Sequence, residues 1–138
     1  MSQPAIHKTN VNPYFMVSDI EKATRFYQEA FGFGLLEKRA GEDGKTLVHA
    51  EMHYQGELIL IGKSGVFDPA LKTPKETGVR CPITLCLNTS NVDAFYANAC
   101  AKGAASLEAP ADQPWGARAC MLEDLDGYHW CVLMQTQA

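Results

Sequence analysis

Long apolar runs are missing from this 138-residue chain. Runs such as Leu58 to Ile61 fall far short of the ~20 residues a bilayer-spanning helix needs. The opening Met1-Ser2-Gln3-Pro4 lacks the basic-then-apolar pattern of a secretory leader, so the expected location is the cytoplasm. Charge of one sign is also missing. Twelve basic against sixteen acidic residues, scattered along the chain, give a net charge of −4, which argues against nucleic acid or an anionic membrane as the main partner. Paired cysteines are absent as well. The five at 81, 86, 100, 120 and 131 make an odd count without a Cys-x-x-Cys pair, so neither a disulfide frame nor a zinc knuckle fits, and reduced thiols are expected. No Gly-rich phosphate loop precedes a helix and no Gly-x-Ser-x-Gly elbow occurs, which leaves nucleotide and serine-hydrolase readings unsupported. A chain of this length buries about 65–70% of its unfolded surface and needs no staple.

What is present is an internal repeat. The run Tyr14-Phe15-Met16-Val17 leads into Ser18-Asp19-Ile20-Glu21, then Phe26-Tyr27, Gly32 and Leu35-Leu36-Glu37. The same order returns as Ile83-Thr84-Leu85-Cys86-Leu87, Ser90-Asn91-Val92-Asp93, Phe95-Tyr96, Gly103 and Ser106-Leu107-Glu108. Ser18 with Glu21 reads as a capping box, and Ile20, Ala23, Phe26, Tyr27, Ala30 and Phe31 form one apolar stripe ended by Gly32, which predicts an amphipathic helix. Ser90 opens the second helix, and Gly103 closes it. After each helix the period changes to two, predicting strands over 35–39, 46–54 and 57–61, then 104–108, 117–122 and 129–134. The expected architecture is α+β, with tandem βαβββ modules in one domain. Module 1 spans about 10–63, an aperiodic linker or loop over the site about 64–79, and module 2 about 80–137.

With this order of elements, the motifs Tyr14 to Asp19, Phe26-Tyr27, Phe31-Gly32-Phe33, Val48 to Met52, Trp115 to Arg118 and Glu123 to Trp130 resemble the vicinal oxygen chelate superfamily, the group of glyoxalases, bleomycin-resistance proteins and extradiol dioxygenases. The resemblance implies that each module curls its mixed sheet into half of a cupped barrel, with ligands in the cup and often a homodimer. It also implies a test for metal. Metalloenzymes of the group carry His or Gln on the first strand of each module and Glu on the last, and those positions fall here on Asn12 and Thr84, and on Cys131 and near Leu60. None is a typical ligand for a hard divalent ion. No cofactor is therefore expected at the family positions, as in the group's antibiotic-sequestering members.

Other residues could supply chemistry. His49, Glu51 and His53 alternate along one strand and share a face. They are credible ligands for zinc or iron, but the outer two stand far apart for one ion. The reading without metal has His49 and Glu51 hydrogen-bonding within the cup and His53 solvated near the turn. Arg118 is a candidate partner for Glu51, or a fork for an anionic ligand. Trp115, in Pro114-Trp115-Gly116, can edge the cup. Cys131 and His129 are too far apart along a strand for direct proton transfer.

The expected function is therefore binding of a small molecule in a cup lined by Asn12, Tyr14, Thr84, Cys86, Trp115, Arg118, His129 and Cys131, without the family metal. The alternative is an enzyme, a lyase, isomerase or dioxygenase, whose divalent metal uses displaced ligands such as His49, Glu51 and His129, or which uses them as metal-free acid–base groups. A regulatory interaction module is a third class. Ligand binding without turnover separates the first from the second, as does loss of turnover in Glu51→Gln or His49→Ala.

Overall fold

The computed structural model of the protein describes residues 11–136; Met1-Ser2-Gln3-Pro4 and the outermost module bounds, 10 and 137, lie outside them. The chain divides after Thr73 into two compact units. Each contains a strand, a helix and three further strands in the order the repeat predicts, and in the second a short extra helix precedes them.

In the first unit, β1 (Tyr14–Val17) leads to α1 (Ile20–Phe31), β2 (Gly34–Ala40), β3 (Leu47–Tyr54) and β4 (Glu57–Lys63). The strands lie in the order β1-β4-β3-β2, with β1 parallel to β4 and the other pairs antiparallel. The helix carries the chain from β1 at one edge of the sheet to β2 at the other. Alternation along the strands sends Phe15, Val17, Ala50, Met52, Ile59 and Ile61 to one side, where they are buried with Ile20, Tyr27 and Phe31 of α1. Each large side chain buried there contributes about 1.5–3 kcal/mol. Tyr27 and Phe33 stack at 5.3 Å between centroids, and Phe26 and Phe31 meet edge to face at 5.3 Å. The helix starts one residue later than the capping box predicts. Asp19 is the N-cap, accepting from the Lys22 amide at 2.9 Å, while Glu21 is drawn sideways by Lys38 at 2.7 Å. Gly32 ends the helix at φ +74°, a left-handed conformation that favours glycine.

The second unit opens with a four-residue helix, α2 (Pro74–Thr77), inside the segment read as aperiodic. A single turn is too short to show a period, but Pro74 at its first position is a start signal. The Lys75 amide donates to the Asp126 carbonyl at 3.1 Å. Gly127 holds φ +95°, and a Cβ there would lie 3.1 Å from Pro74 and Lys75 side-chain atoms, so α2 rests on the turn at Gly127. Then follow β5 (Thr84–Asn88), α3 (Val92–Ala101), β6 (Ala105–Gln113), β7 (Ala117–Glu123) and β8 (His129–Gln135), in the order β5-β8-β7-β6. Trp130, Leu122, Val132, Val92 and Cys120 fill the core under α3, where burial pushes the Cys120 thiol up to about 11. The N-cap is Asn91, accepting from the Ala94 amide at 3.1 Å, rather than Ser90. Strand β6 runs five residues past its expected end, through Pro110. It is an edge strand, the place in a sheet where proline is tolerated.

Candidate functional site

Because the helix covers one face of each sheet, the chemistry collects on the opposite, open face. In the first unit, register sets the rows. Tyr14, Leu60, Glu51 and Glu37 stand side by side across β1, β4, β3 and β2, and Met16, Gly62, His49 and Arg39 form the next row. Tyr14 Oη lies 3.1 Å from His49 Nδ1, and His49 Nε2 lies 3.1 Å from Glu51 Oε2. With the Tyr14 hydroxyl donating to Nδ1, the Nε2–H donates to the carboxylate and the three groups form one polar chain. His49 is 7% exposed, so these contacts satisfy a nearly buried imidazole. Tyr14 is held protonated above the ordinary phenol range, first by burial; the Glu51 charge adds to this and Arg39 opposes it.

Glu37 and Arg39, from β2, complete the cluster. They pair at 2.9 Å, and Glu37, His49 and Glu51 each offer a ligand atom within 4.8 Å of the others. Alternation on β3 identifies His49 and Glu51 from the sequence, but Glu37 escapes it. The β2–β3 register shifts between Leu35 and Glu37, a bulge that turns Glu37 onto the open face. His53 also differs from expectation. A Cβ on Gly34 would collide with His53 Nε2, so the imidazole lies over the bare glycine of the neighbouring strand.

Gly62 creates space in the same way. A Cβ there would come 2.9 Å from Met16 Cε and 3.1 Å from both Phe67 and Tyr14 ring carbons. Tyr14 and Phe67 thus close over the glycine and form an aromatic wall beside His49, with Tyr14 47% and Phe67 56% exposed. Phe67 lies in the aperiodic loop after β4, where pattern carries no signal.

In the second unit, Thr84, Cys86, His129 and Cys131 share the open face. Thr84 pairs with His129, and Cys86 with Cys131, across β5 and β8. His129 Nε2 lies 3.3 Å from Glu123 Oε1, and its Nδ1 is buried without a hydrogen-bond partner. A cleft of about 300 Å³ lies beside this pair, with Lys75 and Arg80 at its rim. The Cys131 thiol is pushed up by burial, then by its hydrogen-bonded neighbour Cys86, which keeps it protonated and unsuited to nucleophilic attack.

Arg118 requires a correction. It points to the helix side, where Nε and Nη2 grip the Asp93 carboxylate of α3 at 2.8 and 2.9 Å and Nη1 reaches Asp112 at 3.2 Å. Those bonds hold its charge and leave no free fork for a ligand, and the expected Glu51 partner is instead bound to His49. Trp115 sits 59% exposed in the β6–β7 turn. Asn12 precedes β1 and is half-buried.

The positions to which the resemblance assigned metal do not form a suitable donor set. Leu60 is apolar, Asn12 and Thr84 are neutral, and Cys131 is a protonated thiol hydrogen-bonded to the Cys86 thiol. No step can be derived through an ion there.

Comparisons with known proteins agree with this fold. Residues 6–132 match the model of the Glyoxalase/Bleomycin resistance protein/Dioxygenase superfamily. An uncharacterized protein of Mycobacterium bovis is 33% identical over 131 residues, covering 88% of this chain and 80% of its own length. Among solved structures, TioX from Micromonospora sp. ML1 has a TM-score of 0.72 at 22% identity, covering 93% of this chain and 99% of that one. TnmS3, an antibiotic binding protein from Streptomyces sp. CB03234, has a TM-score of 0.67 at 25% identity, covering 98% of both chains.

Proposed function

Since the chain belongs to the Glyoxalase/Bleomycin resistance protein/Dioxygenase superfamily, we propose that it is a small-molecule binding protein that works without a metal at the family's ligand positions. Its ligand is a flat organic molecule. The observation that carries this reading is the open face of the first unit, where Gly62 lets Tyr14 and Phe67 stand as an exposed aromatic wall beside the His49–Glu51 pair. Such a wall stacks on a planar body, while the carboxylate accepts from a donor or cationic group. The likeness to TnmS3 is in keeping with ligand capture. The protein acts as a homodimer in the cytoplasm, where its five cysteines stay reduced.

The test is a thermal-shift screen of planar basic compounds, followed by calorimetry of each hit with the wild type and Gly62→Ala. The added methyl meets only side-chain ends, so the variant folds but its aromatic wall is displaced. Binding weaker by about tenfold, with the ligand recovered unchanged, is expected. Equal binding by the variant removes the wall from the reading, and chemical conversion of the ligand replaces a binding protein by an enzyme.

A further inference from the structure

We propose that Glu37, His49 and Glu51 of the first unit form a divalent-cation site on β2 and β3. This is a different place from the β1 and β4 positions to which the family resemblance points, and it does not depend on the organic-ligand reading.

Placement is the first observation. Glu37 and Glu51 are register partners on adjacent antiparallel strands, so two carboxylates face each other directly, an arrangement that destabilises a sheet unless a cation lies between them. The bulge after Leu35 creates this arrangement. Without it, Leu36 would oppose Glu51 and Glu37 would fall on the helix side. Arg39 touches Glu37 from the flank at 2.9 Å, but both side chains are exposed, and such a surface pair has little energetic weight.

Geometry is the second. The three donor atoms lie within 4.8 Å of one another, and His49 Nε2 is already 3.1 Å from Glu51 Oε2. Ligand bonds of about 2.0–2.2 Å require donors roughly 3–3.6 Å apart. Rotation of the exposed Glu37 side chain closes the remaining gap.

The third is the partner of the other imidazole nitrogen. Tyr14 Oη stands 3.1 Å from Nδ1. In the metal-free protein its hydroxyl donates there. With an ion on Nε2, the single ring proton of neutral His49 moves from Nε2 to Nδ1, with no net proton released, and the Nδ1–H donates to the phenol oxygen. This outer contact fixes the ring and its basicity, as metal-bound histidines require. One imidazole with two carboxylates suits a zinc-class ion rather than a soft one, and leaves positions open for water or a ligand oxygen.

The probe is zinc chloride alone, titrated calorimetrically into the chelator-stripped full-length chain, with no organic ligand present. One zinc per chain is expected, weakened about 100-fold or more in Glu37→Gln and about tenfold or more in Tyr14→Phe, with Glu123→Gln unchanged. Nitrogen-15 NMR of the loaded protein should show His49 protonated at Nδ1. Glu37 lies on an edge strand with an exposed side chain, so its variant keeps the fold, which circular dichroism verifies. Absence of zinc binding, or binding undiminished in Glu37→Gln, overturns the site. Neither result bears on capture of an organic ligand by the Gly62 wall, so the two readings fail separately.

Discussion

A single carboxylate organises the last turn of the chain. Asp124 is 3% exposed and accepts from the amides of Asp126 and Tyr128 at 3.0 and 2.9 Å and from the Trp130 indole at 2.7 Å. Alanine there leaves three buried donors without their acceptor, so Asp124→Ala should lower unfolding free energy by about 2–4 kcal/mol. Urea denaturation followed by tryptophan fluorescence measures it, and a loss below about 1 kcal/mol would mean that water replaces the carboxylate. At this scale the sequence is informative where alternation holds. His49 and Glu51 are legible because β3 is regular, whereas Glu37 is hidden by a bulge and Phe67 by a loop. Arg118 fails differently: its strand is predicted correctly, but strand pattern alone does not reveal that Asp93 waits on the helix above it.

That helix carries a charged clasp beside its packed face. Only Val92 and Ala99 of α3 are buried, against seven residues of α1, so the fork of Arg118 on Asp93 holds one edge of a weakly seated element. The Asp93 carboxyl is kept below its ordinary value, first by the hydrogen bond from Arg118, while Arg118 stays charged at any pH of interest. Protons therefore bind the unfolded chain more readily. The clasp contributes fully above the ordinary carboxyl range, near ~3.9, and its contribution disappears as pH falls through the depressed value. Amide exchange of α3 should accelerate, relative to α1, as pH falls below the ordinary carboxyl range in the wild type. In Asp93→Asn that extra acceleration should be missing and exchange already faster at pH 6; identical profiles would remove the clasp from the stability of α3. Element identity was legible throughout the two modules, and the misses lie at ends. Both N-caps move one residue because Asp19 and Asn91 are themselves good caps, and β6 outruns its prediction because an edge tolerates Pro110.

For the whole molecule, the repeat was correct in order but not in residue equivalence. The N-caps Asp19 and Asn91 correspond, yet Phe26-Tyr27 lies about one helical turn deeper into α1 than Phe95-Tyr96 lies into α3. A one-turn slip preserves the face, which is why both pairs read alike; the first pair is buried and the second only half-buried. The second module is thus the poorer in self-contained core, and its apolar surface bears on assembly. Strand β5 is parallel-paired, a setting that usually means burial on both sides, yet Thr84, Cys86 and Asn88 are exposed and Ile83 just before it is 63% exposed. Association of two copies would cover this strand and its open edge. Light scattering after size exclusion should then give twice the 15.1 kDa chain mass. Ile83→Lys, a surface change with no packing to lose, should return the single-chain mass while preserving the circular dichroism spectrum. A wild-type mass of one chain would reject the homodimer, and a dimer indifferent to lysine at position 83 would move its interface away from β5.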